Sequence, residues 1–144
     1  MAQGDVSLFY HTARSVLMGG IDLLGGNPMV QLITNEKDLA RVSDESPVLA
    51  DYSAAAVSPT GLVNTTFIEA SGKAPFKSDS VTFPATPGVN NVYQALLYIG
   101  EDPYRAFGFI DLTTDGGETP VDLSTTSLTI PFGTSGKIMS ADVG

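Results

Sequence analysis

Cysteine and tryptophan are both missing from the 144 residues, and His11 is the single histidine. Without cysteine there is no disulfide framework, thiolate zinc site, iron–sulfur cluster or thiol nucleophile. One histidine excludes a multi-histidine metal centre built by one chain. Positive charge is scarce: 7 basic against 16 acidic residues leave a formal net charge of −9. That excess repels a phosphate backbone, so nucleic acid is not an expected partner. Long apolar runs are lacking as well. No stretch approaches the ~20 apolar residues of a membrane span. The first ten residues have no basic n-region, and Val16-Leu17-Met18 is far too short for a signal core. Neither a membrane segment nor an N-terminal export signal is expected.

What is present points to a folded domain rich in turn and strand formers. Charged residues are only 16% and hydrophobic residues 42%, the reverse of a disordered chain. Ser, Thr, Gly and Pro fill 51 of the 144 positions. No repeat, low-complexity tract or linker divides the chain, so residues 1–144 read as one domain.

Leu8, Phe9, Thr12, Ala13, Val16 and Leu17 recur at helical spacing, which predicts a helix over Ser7–Met18 stopped at Gly19-Gly20. Gly25-Gly26-Asn27-Pro28 signals a turn, and Met29–Thr34 a strand. The glycine pairs lack the strand, helix and Lys or Ser/Thr register of a phosphate cradle. Residues 35–58 are polar and irregular, a long loop with a short helix expected around Glu36–Val42. The remainder reads as β. Leu62–Ile68 and Val81–Phe83 are short strands. Val92–Ile99 is apolar at both parities, so it is expected to be central and covered on both faces. Ala106–Leu112 is its hairpin partner across Gly100-Glu101-Asp102-Pro103. Leu128, Ile130 and Phe132 alternate with Thr129 and Pro131, so one face is apolar, and Pro131 makes that strand an edge or one ended by a bulge. The predicted fold is mainly β: a β-sandwich or small barrel with a short N-terminal helix and a long irregular loop, its β-rich core at residues 59–138.

Chemistry is sparsely signalled. Nothing around Ser7 or Ser15 resembles a nucleophile elbow that would enlist His11, which reads as a surface or interface side chain. Asp111, Asp115, Glu118 and Asp122 supply hard oxygen ligands of the kind Ca²⁺ takes, but not at EF-hand spacing, and turn chemistry explains Asp115-Gly116-Gly117. Paired carboxylates for glycoside hydrolysis have little support without a tryptophan to stack a sugar. No catalytic residue, metal or cofactor is therefore expected. Basic residues are scattered, although Lys73 and Lys77 flank Ala74-Pro75-Phe76 in what reads as a solvated loop. If they form a patch, it would suit an acidic surface, including that of another copy of this chain.

The order of elements resembles small structural proteins of tailed bacteriophages. The matching residues are Phe9, Ile21-Asp22-Leu23, Gln31-Leu32-Ile33-Thr34, Val81-Thr82-Phe83, Ala95-Leu96-Leu97-Tyr98 and Asp102-Pro103. Further along come Gly108-Phe109-Ile110-Asp111-Leu112, Leu128-Thr129-Ile130 and Gly136-Lys137-Ile138. Where such proteins commonly carry Trp, this chain has Phe83 and Phe132, which implies a different internal packing. The resemblance implies a non-enzymatic virion component assembled in the host cytoplasm. A head decoration (cement) protein is the first reading, and a neck, collar or tail protein the second. Its expected partners are the major capsid protein and copies of itself, with closed symmetry such as a trimer as the default. Contacts are expected from the N-terminal segment (Leu8, Phe9, His11, Arg14), the long loop (Arg41, Tyr52) and the patch at Lys73, Phe76 and Lys77. Residues 1–6, 35–58 and 139–144 are the natural arms. A receptor- or glycan-binding module using the loop from Asp111 to Asp122 is the alternative of another class, and a hydrolase comes last.

Overall fold

The computed structural model describes residues 6–9, 12–17, 21–23, 25–34, 47–67, 73–113, 118–132 and 137–142. The protein is mainly β and its sheets are antiparallel. Ten strands are described: β1 Val6–Leu8, β2 Pro28–Ile33, β3 Thr60–Gly61, β4 Val63–Phe67, β5 Lys73–Asp79, β6 Val81–Phe83, β7 Gln94–Ile99, β8 Ala106–Asp111, β9 Leu128–Ile130 and β10 Lys137–Asp142. They form a five-stranded sheet in the order β1-β8-β7-β2-β3, a three-stranded sheet β10-β5-β4 and a two-stranded pair β6-β9.

The hydrophobic pattern of β7 explains the larger sheet. All six of its residues are buried, and it lies between β2 and β8 as its two-faced apolar pattern requires. Val30 and Leu32 of β2, Ala95, Leu97 and Ile99 of β7, and Phe107 and Ile110 of β8 meet Phe76 and Ile138 of the three-stranded sheet. Val81, Phe83 and Ile130 of the strand pair join the same core cluster. The other parity of β7, Leu96 and Tyr98, packs with Ile33, Ala106, Phe109, Phe9 and Tyr52 in a second cluster. A register shift between Leu97 and Tyr98 moves β8 by one residue. Strict alternation from Phe109 would place Phe107 in the second cluster; the extra residue turns it into the first. Phe83 and Phe132 are fully buried, so both aromatic positions serve the core.

Several expectations are corrected. The helix over Ser7–Met18 is not seen: Val6–Leu8 pairs with Gly108–Ile110 as an edge strand, and only Thr12–Leu17 turns helically. Phe9 N–H and Thr12 Oγ1 both donate to the Phe107 carbonyl, at 3.3 and 2.7 Å, which draws the chain away from a continuous helix. Lys73–Asp79 is a strand rather than a solvated loop, the central one of its sheet. Residues 137–142 form its partner, so the expected tail arm at 139–144 is a strand through Asp142. Residues 47–58 of the expected loop are bound to the large sheet. Leu49 N–H donates to Tyr104 O, Ala106 N–H to Pro47 O, and Ala55 N–H to Leu32 O. The expected helix around Glu36–Val42 lies outside the described residues, as do residues 1–5 and 35–46 of the arms. Val6, the last residue of the first arm, belongs to β1.

Proline placement follows ladder chemistry. Among the described residues the β4–β5 ladder runs from Phe76 to Asp79, and Pro75 is paired with Ser140 of β10. Pro131 directly follows β9, which among the described strands pairs with β6.

Candidate interaction surfaces

The residues expected to make contacts are dispersed by the fold. Phe9, Tyr52 and Phe76 are core side chains, which corrects their reading as surface contacts. Phe9 packs on Phe109 with ring centroids 5.5 Å apart and on Tyr52 at 6.2 Å. Phe76 sits in the main core with no exposed surface. Period-two alternation explains Phe76: Phe76 and Ser78 face inward while Lys77 and Asp79 face solvent. Leu8 is half-buried in β1. Arg14 lies in the Thr12–Leu17 turn and Lys73 at the start of β5. His11 and Arg41 lie outside the described residues.

Lys77 therefore remains as an exposed candidate, and β10 brings it company that the sequence does not show. Its register partners are Thr66 on β4 and Lys137 on β10. Lys73 stands opposite Asp142. Lys137 is 60 residues from Lys77, so no local pattern in the chain marks the pairing.

A cleft of about 170 Å³ opens at the β7–β8 turn. Asp22, Glu101, Asp102 and Arg105 line it. The Asp22 carboxylate accepts the Gly25 N–H at 2.8 Å and stabilises the local turn. A Cβ on Gly26 would lie 2.5 Å from the Asp22 carbonyl, and one on Gly100 2.6 Å from the Asn27 carbonyl. These turns thus need glycine for close backbone approach. Among the described residues, no three His, Cys, Asp or Glu side chains converge to hold a metal ion.

The acidic loop is committed to its own turns where it is described. Asp111 Oδ1 accepts from Thr113 N–H at 2.9 Å and from Thr113 Oγ1 at 2.6 Å. Asp122 Oδ1 accepts from Ser124 Oγ at 2.5 Å and from Ser124 N–H at 2.8 Å. The Ser124 hydroxyl, and then its backbone N–H, hold the Asp122 carboxyl below its ordinary range. Asp115 lies outside the described residues. Comparisons with protein-family models, curated proteins and solved structures give no match.

The open sheet edges complete the surface. Among the described strands, β1 and β3 end the large sheet, and β4 and β10 end the smaller one. β3 has two residues and β1 three, short enough to limit uncontrolled pairing. β4 is longer, and its Val63 is 39% exposed, a rare exposed apolar side chain here. The register shift between Val63 and Thr66 distorts that edge, with Asn64 at a positive φ of 50°. Among the described residues no helix is long and apolar enough to cross a membrane.

Proposed function

We propose that this protein is a structural component of a tailed-bacteriophage particle, a head decoration protein that binds the major capsid protein and copies of itself. Its fold on this reading is a β-sandwich, with the five-stranded sheet on one side of the main core and the smaller sheets on the other. The observation that carries the reading is the allocation of polar groups. The described acids Asp22, Asp51, Asp111 and Asp122 accept hydrogen bonds from nearby backbone N–H groups, so they shape turns. The surface offers strand edges and a lysine-bearing sheet instead, features suited to association. The element order that resembles phage structural proteins, running from Phe9 to Ile138, adds the virion context. Free subunits with a net charge of −9 repel one another at long range, and salt or a complementary surface permits docking.

Mass spectrometry of purified virions, with cryo-electron microscopy of the intact particle, tests this. Many copies distributed over the head are expected. A single ring at the portal or along the tail would move the protein to the neck, collar or tail. Absence from the particle would overturn the virion reading.

A further inference from the structure

We infer that the outer face of the β6–β9 layer docks onto the same face of a second copy of this chain, with Thr82 and Thr129 at the centre of the contact. The inference rests on the self-association just proposed and names its surface. Residues 81–92 and 121–132 run antiparallel to one another. β6 pairs with β9 from Val81 opposite Ile130 to Phe83 opposite Leu128. Beyond the strands, Thr86 N–H donates to Leu123 O and Leu123 N–H to Val89 O, both at 2.8 Å, and Val92 bridges Val121. This ribbon closes one side of the main core. Val81, Phe83, Val89, Leu123, Ile130 and Phe132 are buried in it. Alternation along the strands turns Thr82 and Thr129 outward, and Pro84, Pro87, Thr126 and Pro131 are exposed with them.

That outer face is polar yet almost free of charge. Of the 7 basic and 16 acidic residues, Asp122 alone falls in the two segments, and it lies at the Val92–Val121 end rather than beside Thr82 and Thr129. Elsewhere among the described residues the exposed charges are Asp22, Asp51, Asp79, Glu101, Asp102 and Glu118 against Lys77. Two copies that approach through those acids repel each other. Laying an acidic face on the neutral one strips water from carboxylates without giving them a partner, which also costs free energy. The surface of a second copy that meets the ribbon at least cost is therefore the ribbon itself. A patch that meets its own copy makes an isologous contact, closed by a two-fold axis. Depletion of charge is also what marks the centre of protein interfaces. The face is prepared to lose its water. The Thr82 and Thr129 hydroxyls bond each other at 2.9 Å, and the Thr86 hydroxyl donates to the Pro84 carbonyl at 3.0 Å, so these groups keep a partner when covered. Pro84, Pro87 and Pro131 restrict the backbone before contact, which reduces the entropy lost on docking.

Sedimentation velocity of the wild type, Thr129→Glu and Thr129→Lys tests the face, with circular dichroism to check folding. Thr126→Glu and Thr126→Lys repeat the test outside the strands, and Ala50→Glu, at an exposed position away from the ribbon, is the control. Charge of either sign at position 129 should weaken self-association by about tenfold, because each charge then faces its own copy. An equal mixture of the Glu and Lys variants should associate again, since opposite charges now meet. A Lys variant that associates more tightly than the wild type would show net charge alone at work and overturn the inference, as would a mixture no better than its parts. Ala50→Glu should associate like the wild type; a tenfold loss there would overturn the placement. Wild-type association should strengthen as salt rises from about 0.01 to 0.15 M, where the Debye length falls from about 30 to 8 Å and long-range repulsion is screened. Weakening over that range would indicate ion pairs and overturn a charge-free contact. Association untouched by all four Thr variants overturns this surface while leaving self-association standing. A monomer at every concentration and ionic strength overturns self-association itself, and this inference with it.

Discussion

Gln94 offers an unusually directional test of the fold. It is fully buried in the central strand β7, between Ile33 of β2 and Asp111 of β8 in register. Alternation places it on the same side as Leu96 and Tyr98, toward the second apolar cluster. Among the described residues, its Oε1 and Nε2 have no hydrogen-bond partner. A buried polar group without a partner costs about 1–3 kcal/mol, and replacing it with an apolar group of similar shape recovers that cost. Methionine has nearly the volume of glutamine and adapts to irregular space. Gln94→Met should therefore stabilise the protein by about 1–3 kcal/mol, against the usual tendency of core substitutions to destabilise. For a domain of this size that raises Tm by about 2–4 °C per kcal/mol. Gln94→Ala removes the amide but leaves a hole, so it should be less stable than Gln94→Met. Urea unfolding followed by circular dichroism measures both. A loss of stability of 1 kcal/mol or more for Gln94→Met, on the order of a lost buried hydrogen bond, would refute the reasoning and show that the amide is hydrogen-bonded in solution.

Two further predictions address the turns. Gly26→Ala and Gly100→Ala should each lower stability by about 1–3 kcal/mol, because the added methyl meets a backbone carbonyl rather than a yielding side chain; unchanged urea midpoints would contradict that close approach. The Asp122 carboxyl should titrate below its ordinary value of 3.8 by NMR, and Ser124→Ala should raise the midpoint part of the way back, leaving the backbone N–H bond in place. Because the folded-state value is lowered, the associated stability is present above the unfolded value and fades as pH falls through the folded one. An unmoved midpoint in Ser124→Ala would assign the shift elsewhere.

Much of the large sheet was legible in the chain because its signals are local. Apolar residues at both parities of Val92–Ile99 mark a strand buried on both faces, and Gly100–Pro103 marks the turn into its partner. The Met29–Thr34 signal matches β2, and Pro131 marks the end of β9. Composition also determined the charge excess and the absence of thiol chemistry.

Long-range pairing decided the rest. Lys73–Asp79 contains two lysines, a proline and a serine, a composition that reads as loop, and becomes a strand because β4 and β10 satisfy its backbone on either side. The helical spacing at Ser7–Met18 was overridden where Val6–Leu8 found a sheet edge to pair with. Phe9, Tyr52 and Phe76 became core, and Lys77 became surface, through tertiary packing and strand parity. The meeting of Lys77 with Lys137 is the clearest case. Periodicity senses neighbours a few residues apart, whereas a β ladder joins residues far apart in sequence, and only the folded chain sets those two positions opposite each other in register.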